Sequence, residues 1–391
     1  MTRAIVDLDA IGHNTRLLHR AAAGARLMAV VKANGFGHGS VEVARAALAS
    51  GASWLGVTSL PEAMELRAAG IRAPILMWLF APDDILETAL LSDIDLSVSA
   101  VRTLESLARA AGRLGRPAAV HLKADTGLSR GGATADDWPH LLTVAAKLRA
   151  AGLITVRGVW SHLANAEHPD DPGLHRQLIA FGHARAEAAA AGFPGPLTHL
   201  ANSAATLHLP QTRFDLVRPG IAVYGVEPVP GRSFGLRPAM TLESTVILTK
   251  RVGPGTGVSY GHDHVVTRET TLALVPAGYA DGVPRRVAGR AEVAIHGRRV
   301  PIVGRIAMDQ VVVDVGDLPV RAGDRVVLFG PGDEGEPTVA DWARWAETNP
   351  HEILTGVGPR VRRCHRGFSA GSTISTRSPS RPDECAAMTP S

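Results

Sequence analysis

The chain has 391 residues, 45% of them hydrophobic and 20% charged, with a formal net charge of +4 and an isoelectric point near 9.4. That length exceeds what one core usually serves, so two domains are expected, and the composition is that of a soluble globular protein. The basic residues are interspersed with Asp and Glu, so a small anionic ligand explains the charge as well as a nucleic acid does. No run of about 18 apolar residues occurs, so no membrane partner is expected. Acidic residues interrupt the first twenty positions, which argues against a signal peptide. Cys364 and Cys385, both near the C-terminus, can staple neither domain, and a cytoplasmic setting is expected.

Asp9-Ala-Ile-Gly-His-Asn opens a helix with Asp9 as N-cap and Ile11, Leu17, Leu18 and Ala21 on one face. Strand-like and helix-like segments then alternate. The predicted strands are Leu27–Lys32, Trp54–Ser59, Pro74–Phe80, Asp95–Ala100, Ala118–Asp125, Ile154–His162, Leu197–Asn202 and Leu216–Tyr224. Amphipathic helices such as Ser40–Ala52, Pro61–Ala69, Val101–Arg113, Trp138–Ala151 and Leu174–Ala191 lie between them. Eight such units predict an α/β fold with a closed (β/α)8 barrel over residues 1–235, whose chemistry lies at the carboxyl ends of the strands. From about Leu236 the segments become β-branched and short-turned: Met240–Leu248, Thr270–Pro276, Ala291–Ile295, Gln310–Val315 and Arg325–Phe329. Residues 236–366 therefore read as a mainly β domain, with one helix at Val339–Glu347. Residues 367–391 read as a disordered tail.

The stretch Leu27–Gly39 carries the strongest chemical signal. An apolar run ends at Lys32 and then meets Gly35, Gly37 and Gly39, so the lysine faces a loop at a strand end. Of 41 basic residues only four are lysines, Lys32, Lys123, Lys147 and Lys250. A guanidinium cannot form a Schiff base, whereas a deprotonated lysine can. A lysine kept among arginines thus suggests a need for an amine. The bland alternative is a lysine snorkelling at a strand end.

Val31-Lys-Ala-Asn-Gly-Phe-Gly-His-Gly39 resembles the pyridoxal 5'-phosphate (PLP) lysine motif of bacterial alanine racemases, and the likeness runs from about residue 3 to residue 363. It implies a barrel plus C-terminal β domain, PLP as cofactor with no metal, and a homodimer whose active sites are shared between subunits. Arg130, in His121-Leu-Lys-Ala-Asp-Thr-Gly-Leu-Ser-Arg130, would bond the cofactor's phenolic oxygen and contribute to substrate binding. Lys123 is either a carbamate that holds Arg130 or an ordinary polar barrel position, and the residues leave both open. His162, in Val159-Trp-Ser-His162, would lie against the pyridine ring; alone it reads as a core histidine. Asn202, Ser203, Gly220 and Ile221 would hold the phosphate at a helix start, although Asn202-Ser203 also fits plain N-capping. Arg218 would face the pyridine nitrogen.

The likeness assigns Lys32 and the partner subunit's Tyr260 as bases on opposite faces of the substrate's Cα, with PLP-dependent interconversion of L- and D-alanine for peptidoglycan as the function. Met308 would touch the substrate, and Tyr279, Arg285 and Asp309 would line the entrance. Three departures stand out. Phe36 replaces a common tyrosine, Ala307 a frequent cysteine, and His351–Arg360 follows its motif loosely. Alternatives are a racemase of another small amino acid such as serine, a PLP-dependent decarboxylase, and a non-catalytic PLP-binding protein. The second needs a cysteine that residues 236–363 lack, and the third lacks a β domain.

Overall fold

The computed structural model describes residues 1–81, 86–193 and 195–368. Cys385 and all but the first two residues of the tail lie outside the described residues. Two compact units divide the chain, Ala10–Pro238 and a second made of Met1–Asp9 with the residues from Ala239 onward.

A first strand, β1 (Arg3–Asp7), belongs to the second unit. The barrel unit carries eight parallel strands: β2 (Arg26–Val30), β3 (Trp54–Val57), β4 (Ile75–Met77), β5 (Ile94–Val98), β6 (Ala118–Lys123), β7 (Ile154–Trp160), β8 (Leu197–His199) and β9 (Leu216–Val217). Each pairs with the next from β2 to β8, and β9 pairs with β2. Asp215 closes the seam. Its backbone N–H donates to the Thr198 carbonyl at 3.0 Å, and its carboxylate accepts from the Thr198 N–H at 2.8 Å. One layer of the interior is apolar, with Met28, Trp54, Leu76 and Leu216 and with Trp78 and Leu197 packed against it.

The strands stop short of the predicted ends, so Lys32, His162 and Asn202 all stand just past them, Lys32 at the start of the short turn Lys32–Phe36. The last predicted strand, Leu216–Tyr224, is mostly not a strand. Pro219 has no N–H for the ladder, and Ile221–Tyr224 forms a 3₁₀ turn instead. Residue volume also sets a limit inside the barrel. A Cβ on Gly158 of β7 would lie 2.1 Å from His121 Nδ1. Gly158→Ala should destabilise the protein by about 1–3 kcal/mol, as overpacking does, and denaturant unfolding checks this.

In the second unit, nine strands form one sheet. From one edge the order is Leu248–Val252, Thr270–Val275, Val311–Gly316, Arg298–Val303, Glu292–Ile295, Arg325–Phe329, Met240–Thr245, β1 and Arg362–Arg366. β1 runs antiparallel to Met240–Thr245 and parallel to Arg362–Arg366. The first nine residues, placed with the barrel by the sequence reading, thus fold with the β unit. The cap of the first helix (Leu8–Ala21) also differs from expectation: the Asp7 carboxylate accepts from the Asp9 N–H at 2.8 Å, so Asp7 caps it and Asp9 lies in its first turn. The predicted helix at Val339–Glu347 spans Val339–Trp345, and a second one follows at Pro350–Gly356.

Candidate active site

Lys32 begins a turn of unusual hand. Ala33, Asn34, Gly35 and Phe36 have φ of 53°, 53°, 58° and 50°, a left-handed coil in which only glycine is at ease. Such backbone persists only where its surroundings hold it. Glu62 is one clamp. Its carboxylate accepts from the Ala33 N–H at 2.7 Å and, through the other oxygen, from the Thr58 N–H at 2.7 Å. Tyr224 is the other. Its buried hydroxyl donates to the Val30 carbonyl at 2.9 Å, and its ring stacks on Phe36 with centroids 4.6 Å apart. Lys32 is half-buried. Burial lowers its pKa, the Arg130 charge lowers it further, and Glu62 opposes them. A larger neutral fraction is what an amine nucleophile needs.

The loop after β6 brings Arg130 near. Asp125 accepts from the N–H groups of Gly127, Leu128 and Ser129 at 3.0–3.1 Å, folding the chain back so that Arg130 follows. Arg130 is solvent-exposed, and its charge depresses the pKa of Lys32, Lys123 and His162. Lys123 has its Nζ 4.7 Å from the Trp160 ring centroid, and burial, followed by Arg130 and Arg218, lowers it to about 8. Arg218 is buried and bonds four acceptors: Ser161 O at 2.7 Å, His199 Nδ1 at 3.1 Å, Leu200 O at 3.2 Å and His162 Nδ1 at 3.3 Å. Burial pushes it down to about 9, which leaves it charged at neutral pH. Burial and then Arg218 lower His162 to about 3, so its ring is neutral and accepts.

Beside this cluster, Ser203 opens the helix Ser203–His208, and its hydroxyl accepts from the N–H groups of Gly220 at 2.9 Å and Ala222 at 3.2 Å. A Cβ on Gly220 would come within 3.0 Å of Phe36 Cζ, so glycine keeps this space open. Ala222 is a donor that the sequence reading missed; Ile221 lies between the two donors. The Asn202 side chain accepts from the Ala205 N–H at 3.0 Å and so acts as the N-cap.

The remaining predicted residues stand on the β unit. Ser259, just before Tyr260, has φ 61° and ψ −166°, a region that is nearly glycine's alone. Its hydroxyl donates to the Arg305 carbonyl at 2.6 Å, and Arg305, on the loop of residues 304–309, pairs with Asp263. The other end of that loop receives the Tyr279 N–H on Ala307 O at 3.1 Å and the Ala280 N–H on Met308 O at 3.0 Å. Arg360 bonds both oxygens of Asp281 and reaches Asp309 at 2.7 Å. One segment, residues 304–309, therefore ties together the loops bearing Tyr260, Tyr279, Met308 and Asp309. Tyr260, Tyr279 and Met308 are 69%, 43% and 52% exposed, unusual for large apolar groups. Arg285 is exposed on a short 3₁₀ turn nearby in sequence.

Residues 6–228 match the family model "Alanine racemase, N-terminal domain" and residues 239–365 match "Alanine racemase, C-terminal domain". The chain belongs to the alanine racemase family. The alanine racemase of Thermobifida fusca is 53% identical over 93% of this chain and 98% of its own length. The crystal structure of alanine racemase from D-cycloserine-producing Streptomyces lavendulae superposes with a TM-score of 0.93 at 49% identity, covering 94% of this chain and 97% of that one. Alanine racemase from Bartonella henselae, solved with covalently bound pyridoxal phosphate, matches with a TM-score of 0.85 at 30% identity, over 93% and 99% of the two chains. Membership makes the chain an isomerase, an alanine racemase in fold and in both domains. Among the described residues no helix is long and apolar enough to cross a membrane, and no cluster of three or more His, Cys, Asp or Glu could hold a metal.

Two buried histidines, His162 and His199, have a consequence for acid stability. His162 and His199 both lie below the ordinary imidazole value of 6.5, His162 at about 3 and His199 well below, each through burial first. Above that value both states are neutral and neither ring contributes. As pH falls through it, the unfolded chain takes up protons that the fold refuses, so stability declines. The slope is up to about 1.4 kcal/mol per pH unit for each ring. Thermal melts between pH 7.5 and 5 check this, and His162→Asn should make the slope shallower.

Proposed function

We propose that the chain interconverts L- and D-alanine with PLP held on Lys32, using Lys32 and Tyr260 from a second copy as bases on the two faces of Cα. The observation that carries the reading is the convergence of Lys32, Lys123, Arg130 and Arg218 with the Ser203–Gly220 cradle at one barrel mouth. The donor set fits the cofactor. PLP presents an aldehyde, a phosphate, a phenolic oxygen and a ring nitrogen, and this mouth offers an amine, a hydroxyl with two amides, and two guanidinium groups. When bound, PLP supplies an electron-withdrawing ring that makes the α-proton of an attached amino acid removable.

The chain's own groups do the rest. Lys32, depressed by burial and Arg130, supplies the amine and then the base on one face. Ser203, Gly220 and Ala222 would take the phosphate. Arg218 stays charged and can only donate, so it would leave a ring nitrogen facing it unprotonated. Held in that way, the cofactor would be a weaker electron sink, which would favour return of a proton to Cα over transamination. Arg130 would meet the phenolic oxygen, and Lys123, already partly neutral near pH 8, would hold it as a carbamate. Incorporation of labelled bicarbonate into Lys123 tests that last point.

Tyr260, Tyr279, Met308 and Asp309 are exposed together on the β unit, which fits a surface that completes the barrel mouth of a second copy. D-alanine for peptidoglycan, made in the cytoplasm, is the use that the family's activity suggests. Alanine is preferred to serine on the strength of the relatives' names. Circular dichroism of alanine and serine incubated with PLP-loaded protein tests the reading: inversion of alanine supports it, and a bound cofactor with no inversion refutes it.

Phe36 puts a bare ring edge beside Gly220, where a tyrosine would carry a hydroxyl to the phosphate. Phe36→Tyr should tighten PLP binding by about tenfold, the worth of one hydrogen bond to an anion. Fluorescence titration of unloaded protein measures it.

A further inference from the structure

Three polar side chains lie wholly inside the barrel, where burying them is costly unless every one is bonded. They are Asp95 on β5, His121 on β6 and His199 on β8, at 1%, 0% and 0% exposure. They form one chain of hydrogen bonds across the interior. Arg218 meets His199 Nδ1 at 3.1 Å, His199 Nε2 meets His121 Nδ1 at 2.9 Å, and His121 Nε2 meets Asp95 Oδ2 at 3.0 Å. At the far end Arg157 donates to Asp95 Oδ1 at 2.9 Å.

The direction of this chain is forced. A guanidinium has no acceptor, so His199 Nδ1 must accept and its proton sits on Nε2. His121 Nδ1 must then accept, and its proton on Nε2 goes to the Asp95 carboxylate. A proton added to either ring would set two donors head to head. The strands are shaped to fit the chain. The β6–β7 register shifts between Val120 and His121, and Gly158 leaves room for His121 Nδ1, since a Cβ there would sit 2.1 Å away. Trp160 lies parallel to His199, with 6° between the planes, and Trp54 presents its edge to His121.

We propose that Asp95, acting through His121 and His199 in fixed tautomers, anchors the Arg218 guanidinium at the barrel mouth and so helps to set which reaction the bound cofactor follows. The three are positioning residues, since none of them is placed against the cofactor. The proposal rests on the reading of Arg218 given above. The carboxylate at one end and the guanidinium at the other polarise both imidazoles in the same sense, which strengthens the lone pair that His199 offers to Arg218. Without the anion, Arg218 is held less firmly. More turnovers should then end with alanine leaving as pyruvate while its amino group stays on the cofactor as pyridoxamine phosphate.

Two measurements test this. Nitrogen-15 spectra of histidine-labelled protein, unloaded and PLP-loaded, should show His121 and His199 each carrying a proton on Nε2 and none on Nδ1. An Nδ1-protonated or doubly protonated ring at either position overturns the proposal. Asp95→Asn keeps an acceptor for His121 and removes the charge. In the loaded variant the pyruvate-forming fraction should rise at least about fivefold, with KM for alanine changed less than about twofold. A merely structural defect would lower activity and leave that fraction unchanged, and such a result overturns the proposal. If Asp95→Asn does not fold, the wild-type tautomers decide. Wild-type protein that takes up no PLP would sink the functional reading alone, because the tautomers are read on unloaded protein.

Discussion

Tyr260→Phe should lower racemisation by about 10²–10⁴-fold, the usual worth of a positioned acid or base. The fall in kcat/KM must be the same in both directions, because enantiomers have equal free energies and the equilibrium constant cannot change. The asymmetry shows elsewhere. With Lys32 as the proposed base on one side of Cα, one enantiomer should go on exchanging its α-hydrogen for solvent deuterium without inverting, while the other should not exchange. Mass spectrometry of each recovered enantiomer reads this directly. Slight slowing, with exchange retained in both enantiomers, would remove Tyr260 from the mechanism. The variant should fold normally, since the Tyr260 ring is 69% exposed and the loop is held by Ser259, Arg305 and Asp263.

Arg218→Glu should produce the second large effect. A carboxylic acid facing the ring nitrogen can give it a proton, which strengthens electron withdrawal and opens the transamination path. Racemisation should drop by about 10²–10³-fold, as when a preorganised donor is lost. The fraction of turnovers that yield pyruvate should rise. Stability should fall as well, because Ser161 O, Leu200 O and His199 Nδ1 lose their donor inside the barrel. Pyruvate assayed against D-alanine formed, per mole of folded protein, separates the chemical effect from the stability loss. An unchanged ratio would contradict the role given to Arg218.

The barrel was legible because strand-like and helix-like segments alternate eight times, and apolar runs such as Leu27–Val31 end in polar or glycine-rich loops, as burial on both faces requires. Lys32 was legible for the same reason, as an amine where such a run stops. β1 was not. Five residues with only Ala4 and Val6 buried carry too little pattern, and their partners lie more than two hundred residues away. The helix Pro350–Gly356 carries a local signature in its sequence, with Asn349 as cap and Pro350 in the first turn, and the Glu352 N–H donates to Asn349 Oδ1. His121 and His199 read as single histidines in apolar strands, and nothing in linear sequence shows that two strands bring them within 2.9 Å. Asp95 is hidden likewise at a strand start. Sequence patterns find side chains that break a local rule, and they miss groups that satisfy one another across a fold.

Reduction of PLP-loaded protein with borohydride, followed by peptide mapping, fixes the cofactor to whichever amine carries it and so tests Lys32 as its anchor. One modification per chain, on Lys32, is expected, together with loss of the visible absorbance and of alanine racemisation. Modification of Lys123, Lys147 or Lys250 in its place, or no modification at all, would contradict that assignment.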